Sequence, residues 1–262
     1  RVIGVAAGIE YFKRERKMPL ETVLSDGRGL FTDKISPIEF ASRVIDIVRN
    51  EGDAGIARIN TALDGSSPDS FEVPKSEIDS ALANLEPASI AALERAAERV
   101  RQFQSRGLPK SWSDDTGKFG ERVTPIGAVA AYVPGGTAPL ASTVIMTVVP
   151  AKVAGVEEII VATPAPGDSM PHPAILAAAK IAGASRVFRL GGAQAIAALA
   201  YGTETIPSVD MICGPGSAWV TAAKKLVYGD VGIDGLYGPT ETLVIADESA
   251  DPIFTASDLI AQ

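Results

Sequence analysis

From residue 121 onward, short apolar runs alternate with longer alanine-rich stretches, and each run gives way to proline or glycine. Residues 126–133, 158–162, 186–190 and 211–213 have the length and composition of buried strands. Between and after them, residues 142–154, 173–182, 193–201 and 217–228 read as helices. Strands alternating with helices in this way predict a parallel sheet with right-handed crossovers, a Rossmann-like, doubly wound α/β fold. One segment conflicts with its own propensity. Ser142-Thr-Val-Ile-Met-Thr-Val-Val149 is rich in β-branched residues and precedes Pro150, yet the alternation requires a crossover there, so we read a helix.

Upstream, the pattern is helical. Ser36-Pro-Ile-Glu39 combines a serine N-cap, a proline at the first helical position and a glutamate placed to close a capping box. Ile38, Ala41, Ile45 and Val48 follow on one face, and Glu51-Gly52-Asp53 is expected to end that helix. A second amphipathic stretch, residues 87–103, carries Ile90, Leu93, Ala97 and Val100 on one stripe. The charge-dense residues 8–17 read as a solvated helix, residues 106–118 as a connector. Near the end, residues 235–247 read as a turn feeding a strand and residues 251–262 as the start of a helix.

Composition narrows the function classes. Asp and Glu outnumber Lys and Arg by 32 to 24, giving a net charge of -8, which disfavours a phosphate-tracking surface and therefore nucleic acid. One cysteine excludes an internal disulfide framework. No signal-peptide pattern and no membrane-length apolar run is present, which places the expected location in the cytoplasm. The chain begins at Arg1 and stops at Gln262 inside a helical pattern, so we expect a portion of a longer protein.

In a sheet of this kind the turns after the strands gather along one edge. Pro134-Gly-Gly136, Thr163-Pro-Ala-Pro166, Gly191-Gly-Ala-Gln194 and Gly214-Pro-Gly-Ser217 are thus expected to line one cleft. Gly214-Pro-Gly216-Ser-Ala-Trp219 approaches the dinucleotide fingerprint but has tryptophan where the third glycine belongs. Asp234 lies at a suitable distance for a ribose-binding carboxylate, although Val231-Gly-Ile-Asp234-Gly reads as a loop. A plain tight turn is the competing reading. Gln194 either caps its own helix or points into the cleft. Tyr132 is a buried phenol seeking a partner or a ligand contact. Cys213 has the position of a nucleophile but no histidine to serve it, and we read it as a core residue. His172, the one histidine, sits between prolines in a surface turn and cannot build a metal site of the usual imidazole count. Thr240 and Glu241 stand at the mouth of the last strand, to cap a turn or to hold a polar substrate.

Tyr132-Val-Pro-Gly-Gly-Thr-Ala-Pro-Leu140, Gly191-Gly-Ala-Gln-Ala-Ile-Ala-Ala-Leu199, Gly214-Pro-Gly216, Gly238-Pro-Thr-Glu241 and Ser257-Asp-Leu-Ile-Ala-Gln262 resemble, in order and spacing, the histidinol dehydrogenase family. Val48-Arg-Asn-Glu-Gly-Asp53 fits it too. The resemblance implies an aldehyde-dehydrogenase-like architecture and a zinc-containing, NAD-dependent, homodimeric enzyme of histidine biosynthesis. Such an enzyme oxidises L-histidinol, a small amino alcohol, to L-histidine in two hydride transfers through an unreleased aldehyde. Tyr132, Gln194 and Ser217 match NAD contacts, Thr240 a substrate contact, and Gln262 both a substrate contact and the first zinc ligand. The remaining zinc ligands and a glutamate–histidine acid/base pair are expected beyond Gln262, so no catalytic residue is assigned within the chain. Residues 1–120 then form the mainly helical part of a first domain, 121–236 a nucleotide-binding domain, and 237–262 the start of a return into the first. Two departures stand out. Ser217 replaces the usual asparagine and Thr240 the usual serine, which leaves open a paralogous zinc and NAD dehydrogenase of another small polar alcohol. A non-catalytic NAD-binding fragment is the further alternative.

Overall fold

The computed structural model describes residues 30–31, 35–135, 139–165, 167–237 and 242–261. Its centre is a parallel sheet of five strands: β3 (Ala128–Tyr132), β4 (Glu158–Thr163), β5 (Arg186–Arg189), β6 (Met211–Cys213) and β7 (Gly232–Ile233), in the order β5-β4-β3-β6-β7. Strands β1 (Trp112–Ser113) and β2 (Gly120–Glu121) form a separate antiparallel hairpin that begins inside the expected connector and ends just past it. Strand β7 corrects the reading of residues 231–235 as a loop. It is two residues long and holds to β6 by the register Met211 to Gly232 and Ile212 to Ile233. Such a short edge strand offers no periodicity to read.

Alternate residues of β3 enter two different cores. Ala130 and Tyr132 join one apolar cluster, whereas Val129, Ala131 and Val133 join the other. The same division separates Ile160 and Ala162 from Ile159 and Val161 on β4. Burial on both faces explains why these strands read as continuous apolar runs. The first cluster is closed by α1 (Pro37–Asp64), α6 (Gly192–Tyr201) and α7 (Ala218–Val227). The second is closed by α2 (Lys75–Ala83), α3 (Pro87–Arg106), α4 (Ala141–Val153) and α5 (Pro173–Ala182). The β5 edge is covered by residues 71–73: the Val73 N–H donates to the Val187 carbonyl and the Arg189 N–H to the Phe71 carbonyl, both at 2.8 Å.

Helix α4 is the segment whose propensity favours a strand, and it is helical because of what it covers. Val144, Ile145, Val148 and Val149 form one buried face against the sheet, so tertiary burial overrides the modest cost of β-branching. Helix α1 begins as expected, with the Ser36 hydroxyl accepting from the Glu39 N–H at 3.2 Å, while the Glu39 carboxylate pairs with Arg43. Its end is not where the sequence places it. At Gly52 the backbone leaves helical geometry (φ 56°, ψ -134°), then re-enters it and continues to Asp64. Glu204 makes this possible, because its carboxylate accepts from the Asp53 N–H at 2.8 Å and serves as a cap supplied from another part of the chain. Helix α8 (Pro252–Ala261) forms where expected, but residues 242–247 form no strand. No helix among the described residues is long and apolar enough to cross a membrane.

Candidate functional site

Strand order reverses between β3 and β6, and crevices at the carboxyl ends of such strands are where open α/β sheets take ligands. Tyr132 ends β3, and Gly214 follows β6 beside it. Gly214 adopts φ 109°, and a Cβ there would fall 2.1 Å from the Tyr132 carbonyl oxygen, so the turn seats itself on the β3 terminus only because it carries no side chain.

Tyr132, Pro134, Gly135, Gly192, Ser217 and Trp219 surround a cleft of about 470 Å³ at this point. The Tyr132 ring is buried, and its phenol oxygen accepts a hydrogen bond from the Gly192 N–H at 3.1 Å. Ser217 is the N-cap of α7 by position, but its side chain makes no capping bond and the residue is exposed. A serine that does not cap its own helix leaves a hydroxyl for another partner. Trp219, in the place of the fingerprint's third glycine, packs edge-on to Phe40 with ring centroids 4.6 Å apart and so ties α7 to α1. Glycine at that position would loosen the anchor.

The expected single cleft is divided. Pro164 wedges between two loops, with positions for a Cβ on Gly135 and Gly191 lying 2.6 and 2.4 Å from its ring. On its far side a second cavity of about 140 Å³ is lined by Asn60, Asp64, Arg189 and Gln194 among others, and Gly192 borders both spaces. Gln194 is 3% exposed and does not cap α6; its Nε2 donates to Asn60 Oδ1 at 3.1 Å. Its Oε1 has no hydrogen-bond partner among the described residues. A buried amide oxygen without a donor is costly in isolation and marks a place where a ligand or water donates. Tyr132 and Ser217 thus share a cavity, and Gln194 lies across the Pro164 partition from them.

Asp234 follows a strand after all, but its carboxylate is turned inward. Oδ2 accepts from the Gly214 N–H at 2.7 Å, and Oδ1 pairs with the Lys224 ammonium. Lys224 is 1% exposed and also donates to the Gly214 carbonyl at 2.8 Å. Cys213 lies beside this pair. Burial, reinforced by the Asp234 carboxylate and opposed by the Lys224 ammonium, pushes its thiol up to about 11. It is therefore protonated at neutral pH and suited to packing rather than attack. His172 caps α5, its Nδ1 accepting from the Ala174 N–H at 3.1 Å. Among the described residues no three His, Cys, Asp or Glu side chains gather in a way that would hold a metal ion. Thr240, Glu241 and Gln262 lie outside the described residues.

Asn60 and Lys224 escaped the sequence reading, though both left a signal. Asn60 follows buried Ile56 by four positions, and Lys224 lies between buried Val220 and Val227 at helical spacing. A polar residue on an apolar face requires a partner, and looking for one would have found both.

The histidinol dehydrogenase family model matches residues 32–262. The chain belongs to the histidinol dehydrogenase family. It is 48% identical over 246 residues to the histidinol dehydrogenase of Deinococcus radiodurans, covering 92% of this chain and 56% of that protein. It is 50% identical over 237 residues to that of Thermus thermophilus, covering 90% and 56%. Among solved structures, the histidinol dehydrogenase of Elizabethkingia anophelis superposes with a TM-score of 0.80 at 34% identity, covering 91% of this chain and 57% of the other. The chain spans about half the length of the curated relatives it matches.

Proposed function

We propose that this chain supplies the NAD-binding part of an NAD-dependent, zinc-containing dehydrogenase that oxidises L-histidinol to L-histidine through the aldehyde. The observation that carries the reading is the meeting of Tyr132, Gly192 and Ser217 around one cleft at the β3/β6 reversal, in a chain of this family. Numbered from β3, the sheet order is 3-2-1-4-5, which supports a Rossmann-like description. NAD, when bound, supplies the hydride acceptor.

The chain's own residues bind and orient. The Tyr132 phenol, held on Gly192, forms one wall, and the uncommitted Ser217 hydroxyl offers a donor and an acceptor at the other. The space a side chain would take at Gly135 and Gly214 is filled by the Pro164 ring and the Tyr132 carbonyl, which seats both turns on the strand ends and shapes the cleft. Gln194 borders the neighbouring cavity beyond the partition, and its partnerless Oε1 is the acceptor this reading assigns to NAD there. Residues that move the alcohol proton are not assigned to this chain. No step is derived through zinc, because no set of ligands for it is found among the described residues. The reading includes a small amino alcohol substrate, a cytoplasmic location and a homodimer, with no nucleic acid or membrane partner.

Calorimetric titration of the 262-residue chain with NAD tests the binding step. One saturable site is expected, retained in Ser217→Asn and lost in Ser217→Leu, whose side chain fills the cleft; the absence of binding to the unmodified chain sinks the reading. The substrate is tested by NADH formation from L-histidinol, using a zinc-loaded polypeptide of the relatives' length that carries this sequence. Turnover of another small polar alcohol with none of histidinol would reassign it.

A further inference from the structure

Both backbone polar groups of Gly214 are held by a single ion pair. Its N–H donates to Asp234 Oδ2 at 2.7 Å, its carbonyl accepts from Lys224 Nζ at 2.8 Å, and Lys224 closes the ring on Asp234 Oδ1. The Lys224 side chain is 2% exposed and that of Asp234 23% exposed. Three elements therefore converge on one peptide unit: Gly214 follows β6, Lys224 belongs to α7, and Asp234 follows β7. The ring also extends forward. The Tyr237 hydroxyl donates to the Asp234 carbonyl oxygen at 3.1 Å, and Thr221 Oγ1 donates to the Tyr237 carbonyl at 3.2 Å.

A buried lysine requires full compensation, and an apolar pair of similar volume fills the same space at no electrostatic cost. What an apolar pair cannot do is satisfy Gly214, whose N–H and C=O are buried with it. We propose that Lys224 and Asp234 are positioning residues: the pair fixes the Gly214 turn, and through it holds Ser217 and the start of α7 in the pose the cleft requires for NAD. This rests on the NAD reading above. Neither side chain borders the cleft of Tyr132 and Ser217, so both act through the turn.

The test separates positioning from simple stability. Lys224→Met and Asp234→Ala each strand one charge and lower the melting temperature. The double variant K224M/D234A strands neither, so its melting temperature recovers toward that of the unmodified chain. Under the proposal, its NAD affinity does not recover and stays weaker by about tenfold, as expected for loss of a coupled network. A double variant that regains both stability and affinity overturns the proposal. Asp234→Asn is the mild variant, since it keeps an acceptor for the Gly214 N–H: it is expected to lose less NAD affinity than Asp234→Ala, and equal losses in the two overturn the proposal should the double variant fail to fold. Amide exchange and chemical shifts provide an arm independent of the ligand. Gly214 is expected to lose amide protection, and the Gly214 and Ser217 shifts to move, in every variant that folds, while Val161 in β4 stays as it was. Unchanged Gly214 and Ser217 amides overturn the proposal whether or not NAD binds, whereas absence of NAD binding to the unmodified chain overturns only the reading beneath it.

Discussion

The phenol oxygen of Tyr132 accepts a hydrogen bond from the backbone N–H of Gly192 at 3.1 Å, joining the end of β3 to the first residue of α6. That N–H is one of the donors a helix start leaves without an internal partner. Tyr132→Phe keeps the ring in place and removes only the acceptor. It is expected to destabilise the chain by about 1 kcal/mol, measured by urea unfolding, and to weaken NAD binding. Unchanged stability would mean that water takes the place of the phenol.

Gln194 and Asn60 lie 134 positions apart and are joined by one buried side-chain hydrogen bond. A double-mutant cycle of Asn60→Ala and Gln194→Ala is expected to return a coupling energy of about 1 kcal/mol. Additive effects would show that the two amides do not depend on each other. Gln194→Ala alone is further expected to lose NAD affinity.

Gly52 takes a backbone conformation that L side chains rarely adopt, and a Cβ there would fall 2.2 Å from a Glu204 carboxylate oxygen. Gly52→Ala is expected to cost roughly 1–3 kcal/mol, visible in thermal unfolding. The Asp53 N–H holds the Glu204 carboxyl below the usual range. The sign follows from that depression. The cap's contribution is present above the ordinary glutamate value of about 4.3 and is lost as pH falls through the depressed one. Glu204→Gln should flatten this acid limb, and an unchanged limb would place the acid sensitivity elsewhere.

The Cys213 thiol is pushed up to about 11, chiefly by burial. Alkylation by iodoacetamide at neutral pH is accordingly expected to be much slower than for an exposed thiol. Between the ordinary thiol value and the raised one, the folded chain holds its proton while the unfolded chain releases it. Stability should therefore fall as pH rises above about 8.5, by at most about 1.4 kcal/mol per pH unit. Cys213→Ala should remove that alkaline slope; rapid alkylation of the native chain would contradict the assignment.

Hydrophobic patterning alone located four of the five strands of the parallel sheet and the helices between them. Pro173–Ala182 and Met211–Cys213 were read to the residue. Local chemistry was enough there, because a proline at the first helical turn and a glycine at the left-handed C-cap punctuate the chain without help from distant residues. Glycine, too, marked the strand-end turns that build the site. The family could be read from the order of those turns.

Pairing was not legible in the same way. Gly52 looks like a helix end until Glu204 arrives to cap the next turn, and residues 231–235 look like a loop until β6 provides the strand to which β7 bonds. Asp234 looks like a ligand for ribose until Lys224 and Gly214 take up both of its oxygens. Periodicity records which faces are apolar, and that is a local property of side chains. Which buried polar group meets which is decided by closure of the chain around the sheet, because an unpaired buried donor, acceptor or charge costs so much that the fold settles where those groups find each other.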